Sequence, residues 1–207
     1  EISPHALAPH LPAFFAPLAA FPAYALAKRA FNELSGVLAS LFVALAPGYV
    51  LRSFCGFCDK EAFAVPLLMY FFAFALLALE QSDLRAAVAA GLCLGVCATC
   101  WMGFLYGYLV LAAYAAAASL FLKNPWRVIP HYLLMLAIPS VFAAFTTTHY
   151  GGFSFFKSVA FLGPMAAAIP LVATRLGRKW VVASFAAFAA LFFVLGGHGV
   201  IAGRIFN

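Results

Sequence analysis

Eight apolar stretches, each 17–20 residues long, limit what this chain can fold into more than any other feature of its sequence. A helix needs roughly 20 apolar residues to cross the hydrocarbon core of a bilayer. Each segment must also satisfy its own backbone hydrogen bonds in lipid, which a helix does. We therefore predict an all-α, polytopic transmembrane bundle, in which the second and fourth spans are the weakest candidates because they are short or Gly-rich. The stretches cover residues 11–27, 34–51, 62–80, 84–100, 103–122, 128–147, 158–174 and 180–197.

The composition supports a membrane protein and argues against several other classes. Hydrophobic residues make up 67% and charged residues 9% of the 207 residues, whereas a soluble domain carries about 25% charged residues. The net charge of +6 does not indicate nucleic acid as a partner, because Lys and Arg are scattered in ones and twos. A transporter is also disfavoured, since no span carries a charge deep in its interior. We predict that 1–207 form a single transmembrane domain with the lipid bilayer as a partner.

The basic residues predict the orientation of the bundle. With eight spans, the connecting segments alternate between two faces of the membrane. One face receives eight Lys and Arg, and the other receives four. The richer face is cytoplasmic by the positive-inside rule, so the segment around residues 52–61 is predicted to be lumenal or external. The first set is Lys28, Arg29, Arg85, Lys123, Arg127, Arg175, Arg178 and Lys179, and the second is Arg52, Lys60, Lys157 and Arg204.

The predicted lumenal segment RSFCGFCDKEAF, residues 52–63, contains the densest group of polar residues in the chain. Its cysteines, Cys55 and Cys58, have the CxxC spacing of redox pairs and of half zinc sites. A zinc site would need two more ligands at suitable spacing, which the nearby sequence does not supply. A disulfide is a further alternative in an oxidising compartment. Redox, metal and disulfide interpretations all stay open for these two cysteines.

The same segment holds two of the six acidic residues of the chain, Asp59 and Glu61. In one interpretation Asp59 caps the helix at 62–80, and Glu61 stabilises the positive end of its dipole. In the other, the two carboxylates converge at a non-helical cap on a hard divalent cation, which takes oxygen ligands. Arg52 could pair with a carboxylate, face an anionic substrate, or extend to the membrane interface as an ordinary snorkelling side chain.

Two further groups of residues have both a structural and a functional interpretation. Trp101 lies where an aromatic belt is expected, and the break at Gly103 suggests a close approach of backbone to a ligand or another helix. Cys93, Cys97 and Cys100 lie on one face of a helix, at i, i+4 and i+7. That pattern favours small buried side chains in the core.

The segment from Leu41 to Leu79 resembles the region around the second acidic motif of the oligosaccharyltransferase catalytic subunit family. CWMGFLYGY resembles the Trp-Gly-rich turn between two spans of that family, and GGHGVIAGRIFN is similar to the stretch leading into its large lumenal loop. Residues 14–49 fit the preceding helix pair, so the resemblance runs over nearly the whole chain. The motif residues are Ala46-Pro47-Gly48-Tyr49, Arg52-Ser53, Gly56 and Asp59-x-Glu61.

The resemblance implies part of a GT-C membrane fold in a multi-subunit complex of the endoplasmic reticulum membrane. It implies transfer of an oligosaccharide from a dolichyl diphosphate carrier to the Asn of an Asn-x-Ser/Thr sequon in an acceptor polypeptide. Asp59 and Glu61 match two acidic residues that hold a divalent metal, Mg²⁺ or Mn²⁺, and Arg52 matches the arginine that orders them. All three residues would then be catalytic. Trp101 and Gly103 match the turn that approaches the lipid-linked diphosphate.

The chain also departs from the family pattern. Cys55 and Cys58 stand where the family usually has small or aromatic residues, and WMGF replaces a more Gly-rich, Tyr-bearing turn. By the family's order, its first acidic motif would precede residue 1, and the catalytic glutamate of its large loop would follow residue 207. Two functions are therefore expected as alternatives: part of the catalytic subunit, or a non-catalytic, family-derived subunit that scaffolds a membrane complex.

Overall fold

The computed structural model describes residues 10–54, 59–146, 155–156 and 158–192. Within these residues the chain is helical and contains no β-strand. Cys55 and Cys58 lie outside the described residues. The redox, metal and disulfide interpretations of the CxxC are therefore not tested by the structure. The GGHGVIAGRIFN segment and the last residues of the predicted span 180–197 lie outside the described residues as well.

The described helices lie within or near the predicted spans, except that the predicted span 34–51 is divided into two helices. Short 3-10 helices at Ala16–Ala19 and Pro125–Val128 directly precede the α-helices that begin at Ala20 and Ile129. The α-helices are α1 (Leu11–Phe15), α2 (Ala20–Ala30), α3 (Glu33–Leu45), α4 (Pro47–Ser53), α5 (Glu61–Gln81), α6 (Leu84–Cys100), α7 (Phe104–Phe121), α8 (Ile129–Thr146), α9 (Val159–Ala173) and α10 (Arg178–Phe192).

Among the described helices, four segments are long and apolar enough to cross a membrane. A fifth is possible if α3 and α4, which are bent by 52° at their junction, together form one span. The apolar helix α6 and the apolar part of α9 are shorter than 18 residues. The prediction of an all-helical, multi-pass membrane protein is confirmed. The four long segments are Leu11–Ala30, Glu61–Gln81, Phe104–Phe121 and Pro125–Thr146.

Small residues bring the central helices close together. Helix α6 packs against both α5 and α8, while α7 packs against α9 and α2 against α3. A Cβ atom on Gly91 would lie 3.0 Å from the Ile138 side chain, and one on Gly95 would lie 2.7 Å from the Phe142 ring. Interfaces between membrane helices are rich in small residues because these let the backbones approach each other. The spacing of α6 and α8 therefore depends on glycine.

Large apolar side chains lie on the outside of the bundle. Phe42 is 75% exposed, Phe121 83% and Phe145 73%. Alanines make up much of the interior, where they alternate with a few large side chains. Lipid tails are as apolar as leucine, so outward-facing phenylalanines suit a bundle surrounded by a bilayer.

One buried polar cluster ties α7 to α8 inside this apolar interior. The Tyr108 hydroxyl lies 2.7 Å from Ser140 Oγ and donates to the Leu136 carbonyl oxygen at 3.1 Å. Ser140 Oγ also donates to the Leu136 carbonyl oxygen, at 2.6 Å. Hydrogen bonds of this kind hold membrane helices together, at roughly 0.6–2 kcal/mol each.

The predicted core face of α6 is only partly correct. Cys97 is buried, and its thiol donates to the Ala64 carbonyl oxygen of α5 at 3.6 Å. Cys93 is partly buried and packs against the core. Cys100 is exposed, so its assignment to the core is wrong. It is the last residue of α6, directly before Trp101.

Contacts between helix ends and the segments next to them define one end of the bundle. Arg29, in the last turn of α2, forms an ion pair with Glu80 at the end of α5. The Arg175 guanidinium, after α9, lies 5.5 Å from the centre of the Trp126 ring, before α8. We call this end, which carries Arg29, Glu80, Trp126 and Arg175, the basic end. The opposite end, where α4 leads to α5 and α6 leads to α7, is called the acidic end.

Candidate functional site at the acidic end

The site begins at a break in the second predicted span. Helix α3 ends at Leu45, and Ala46 has a non-helical conformation, with φ −57° and ψ 114°. The residue before a proline is disfavoured in the helical region, whereas proline itself suits the first position of a helix. Pro47 therefore ends α3 and starts α4, and the chain turns by 52° between them. The last turn of α4 contains Arg52.

Tyr49, one of the residues that carry the resemblance to the family, anchors α4. The Tyr49 hydroxyl donates to the Ala16 carbonyl oxygen at 2.9 Å, and so ties α4 to the Ala16–Ala19 helix. A small cavity of about 230 Å³ lies beside this bond, lined in part by Pro17 and Phe54. The sequence analysis treated 34–51 as one span and did not predict the break at Pro47, although a proline inside an apolar stretch indicates one.

Arg52 brings the two predicted carboxylates together. Its Nη1 atom lies 3.1 Å from Asp59 Oδ2 and 2.9 Å from Glu61 Oε1. The side chains of Asp59 and Glu61 are 19% and 25% exposed, and that of Arg52 is 50% exposed. One nitrogen thus contacts both acids. Of the three interpretations of Arg52, the structure favours pairing with the carboxylates.

The convergence of the two acids depends on where α5 begins. Residues at i and i+2 of a regular helix point in different directions. Helix α5 begins at Glu61, with Lys60 as its N-cap residue, so Asp59 precedes the helix. Asp59 is therefore free of helical geometry, and its carboxylate reaches the same guanidinium as Glu61.

The prediction that the Asp59 side chain caps this helix is wrong. The N-cap residue is Lys60, and the helix has no side-chain cap. Asp59 contributes its backbone carbonyl oxygen instead, which accepts from the Ala62 amide at 3.2 Å, while its carboxylate pairs with Arg52. Glu61 does lie in the first turn of α5, where a negative charge is stabilised by the helix dipole.

Trp101 and Gly103 lie at the same end and pack on each other. Trp101 follows the last residue of α6, one turn beyond Cys97, whose thiol donates to the Ala64 carbonyl oxygen in the first turn of α5. A Cβ atom on Gly103 would lie 2.2 Å from the Trp101 ring. The close approach predicted at Gly103 is thus made by the neighbouring indole, and only glycine leaves room for it. Within the described residues, no hydrogen bond, ion pair or ring contact joins Trp101 to Arg52, Asp59 or Glu61.

The two carboxylates beside Arg52 are of the ligand type that a hard divalent cation prefers. Two carboxylate oxygens already converge on one positively charged nitrogen, and Mg²⁺ and Mn²⁺ prefer such oxygens. Among the described residues, however, no group of three or more His, Cys, Asp and Glu side chains could hold a metal. In the described part of the chain, Asp59 and Glu61 are therefore two candidate ligands, which is fewer than a complete metal site needs.

Fold and site together define an all-helical, multi-pass membrane protein with two charge-paired acids at the start of a membrane helix. The family described as "Oligosaccharyl transferase STT3, N-terminal" matches residues 3–175. The chain belongs to this family, which confirms the resemblance seen in the sequence.

Individual relatives match over a shorter part of the chain. It is 34% identical over 92 residues to the dolichyl-diphosphooligosaccharide–protein glycosyltransferase subunit stt3 of Schizosaccharomyces pombe, covering 44% of this chain and 12% of the relative. It is 34% identical over 96 residues to subunit STT3 of Saccharomyces cerevisiae, covering 44% and 13%. With subunit STT3B of Arabidopsis thaliana it shares 29% identity over 93 residues, covering 45% and 13%. The matches thus span about an eighth of the length of each relative.

Proposed function

We propose that this chain is part of the membrane domain of an oligosaccharyltransferase catalytic subunit. The enzyme would transfer an oligosaccharide from dolichyl diphosphate to the Asn of an Asn-x-Ser/Thr sequon in an acceptor polypeptide. The observation that carries the proposal is the convergence of Asp59 and Glu61 on Arg52, within the segment that resembles the family's second acidic motif. Membership of the family supports it as well.

The chemistry suits a site built from carboxylates. Transfer breaks the bond between the sugar and the diphosphate and forms a bond to the Asn side-chain nitrogen. The Asn amide is a weak nucleophile, and Asp59 or Glu61 could accept a hydrogen bond from its NH₂ group. Arg52 would hold both carboxylates in place, and orientation of this kind contributes strongly to catalysis because a misplacement of 1 Å can cost roughly 100-fold in rate.

A divalent metal and the lipid-linked substrate belong to the same proposal. Asp59 and Glu61 would be two ligands of Mg²⁺ or Mn²⁺, which when bound would neutralise the leaving diphosphate. Trp101 and Gly103 would lie near that diphosphate. The proposed setting is a GT-C membrane domain within a multi-subunit complex of the endoplasmic reticulum. The acidic end would face the lumen and the basic end the cytoplasm, as the positive-inside rule predicts.

The test is to replace Asp59 or Glu61 with Ala in the intact assembly and to measure glycosylation of a sequon peptide with a lipid-linked oligosaccharide. We expect each change to lower transfer by roughly 100-fold or more, as loss of a charged group at a reacting centre does. The matched control is Asp83→Ala at the other end of α5 and α6. Asp83 caps α6 by accepting from the Arg85 amide at 2.8 Å. Its loss should cost about 1 kcal/mol of stability and leave transfer intact.

The second candidate is a non-catalytic subunit that scaffolds a membrane complex. One observation favours it: within the described residues, two carboxylates meet at the site and both are already paired with Arg52. Near-normal transfer by both the Asp59→Ala and the Glu61→Ala variant would overturn the catalytic proposal and support this one.

A further inference from the structure

Two neighbouring cavities open at the basic end, far from the candidate site. The first, of about 650 Å³, is walled mainly by apolar side chains such as Phe71, Leu76 and Leu111, and Glu80, which pairs with Arg29, also lines it. We call it the apolar cavity. The second, of about 670 Å³, is lined by Trp126, Arg127 and Arg175 among others, and we call it the arginine cavity. Ser82 and Arg127 line both, so the two cavities adjoin.

The arginine cavity carries positive charge without a described counter-charge. The guanidinium carbons of Arg127 and Arg175 lie 5.7 and 5.5 Å from the centre of the Trp126 ring. Within the described residues, neither arginine forms an ion pair with a carboxylate. Arginine binds phosphate strongly because its planar donors match the phosphate oxygens. Two such side chains held on one indole therefore favour an anionic phosphate group.

A buried histidine beside these arginines has a ring nitrogen with no hydrogen-bond partner in the part of the chain that the structure describes. His131 is 5% exposed and lines the apolar cavity. Its Nδ1 lies 3.1 Å from the Arg127 carbonyl oxygen. A carbonyl can only accept, so Nδ1 carries the hydrogen, and in the neutral ring Nε2 is an acceptor. Nε2 has no hydrogen-bond partner among the described residues, although buried polar groups are normally paired. His131 is thus a polar residue in the lining of the apolar cavity, next to Arg127.

The two cavities together have the chemistry of a phospholipid. Helix α5 runs from Glu61 at the acidic end to Gln81 at the basic end, which places the cavities on the order of 30 Å from the candidate site. The end of a membrane-spanning bundle lies at the depth of lipid head groups, and basic pockets between helices there bind anionic head groups. We propose that an anionic phospholipid binds at the basic end, with its phosphate against Arg127 and Arg175 and an acyl chain in the apolar cavity.

The first test uses the unchanged protein. The protein is purified in mild detergent and mixed with either phosphatidylglycerol or phosphatidylcholine of the same acyl chains, and the lipid retained is counted by native mass spectrometry. We expect phosphatidylglycerol to be retained roughly thirtyfold better, since two arginines near a lipid surface both favour an anionic head group. Inorganic phosphate at millimolar concentration should not displace it, because phosphate lacks the acyl chain. Equal retention of the two lipids, or displacement by phosphate alone, would overturn the proposal.

The second test locates the site with charge variants. Arg127→Gln combined with Arg175→Gln should abolish the preference for phosphatidylglycerol, whereas the double Lys variant, which keeps both charges, should retain most of it. The matched control is Arg85→Gln, an exposed arginine at the same end that lines neither cavity. A double Gln variant that elutes as a monodisperse peak and still prefers phosphatidylglycerol would contradict the proposal. The proposal does not depend on glycosyl transfer, so the catalytic tests and these tests fail independently.

Discussion

The two ends of α5 use arginine in opposite ways. At the acidic end one guanidinium nitrogen contacts two carboxylates, so the charge of Arg52 is already paired. At the basic end, Arg127 and Arg175 share one indole and have no carboxylate partner among the described residues. The partners rather than the residue type decide what an arginine can do. Arg52 organises its neighbours, whereas the two basic-end arginines are available to an anion.

The largest effect should come from removing the positive charge of Arg52, which holds the two carboxylates at the acidic end together. In an Arg52→Gln variant the two carboxylates lose their shared cation and repel each other, because like charges within a few ångströms are unfavourable. We expect sequon glycosylation to fall by roughly 100-fold, the penalty of misplacing reacting groups. Transfer is measured in the intact assembly. Retention of phosphatidylglycerol at the basic end should not change.

A Lys variant sharpens the same prediction. Arg52 contacts both acids through Nη1 alone, so the planar fork that distinguishes arginine from lysine is not used for two parallel bonds. Arg52→Lys should therefore retain clearly more transfer than Arg52→Gln. The control is Arg85→Gln, a charge loss at the other end. If Arg52→Gln and Arg85→Gln transferred equally well, the ordering role of Arg52 would be wrong.

The next largest effect should follow from filling the space under Trp101. In Gly103→Ala the new methyl group would meet the indole, which a Cβ approaches to 2.2 Å. Overpacking of this kind costs about 1–3 kcal/mol. We expect a lower unfolding midpoint and, in a background with Phe at Trp126 and Trp180, a more accessible Trp101 in acrylamide quenching.

Gly48→Ala is the matched control for this change, because Gly48 lies at the same end and a Cβ atom on it would have no neighbouring atom within 4 Å. It should be close to neutral, or slightly stabilising as glycine-to-alanine changes in helices are. If both variants were equally stable and Trp101 stayed equally protected, the indole would not depend on Gly103.

The sequence predicted the helices well because hydropathy alone sets the length of a membrane span. It predicted α6 at its observed bounds. It also predicted that Arg52 could pair with a carboxylate, because the partners are close in sequence. It failed where the outcome depends on a turn or on distant contacts. Asp59 does not cap α5, because Lys60 takes that place and Arg52 takes its carboxylate. The arginine cavity was not predicted, because Trp126 and Arg175 meet only after the helices between them have packed.

The smallest effect should come from Glu80, which lines the apolar cavity. Glu80 pairs with Arg29 across the basic end, and both side chains are 43% exposed. Exposed pairs contribute roughly 0–1 kcal/mol, so Glu80→Gln should lower stability by less than Gly103→Ala does, and the difference should vanish in high salt. The basic end also becomes more positive, so retention of phosphatidylglycerol should rise severalfold, by about 1 kcal/mol. Thermal unfolding at two salt concentrations and lipid counting measure both effects. A large, salt-independent loss of stability, or weaker lipid retention, would mean that the pair at the basic end organises its surroundings as Arg52 does, and the contrast between the two ends would no longer hold.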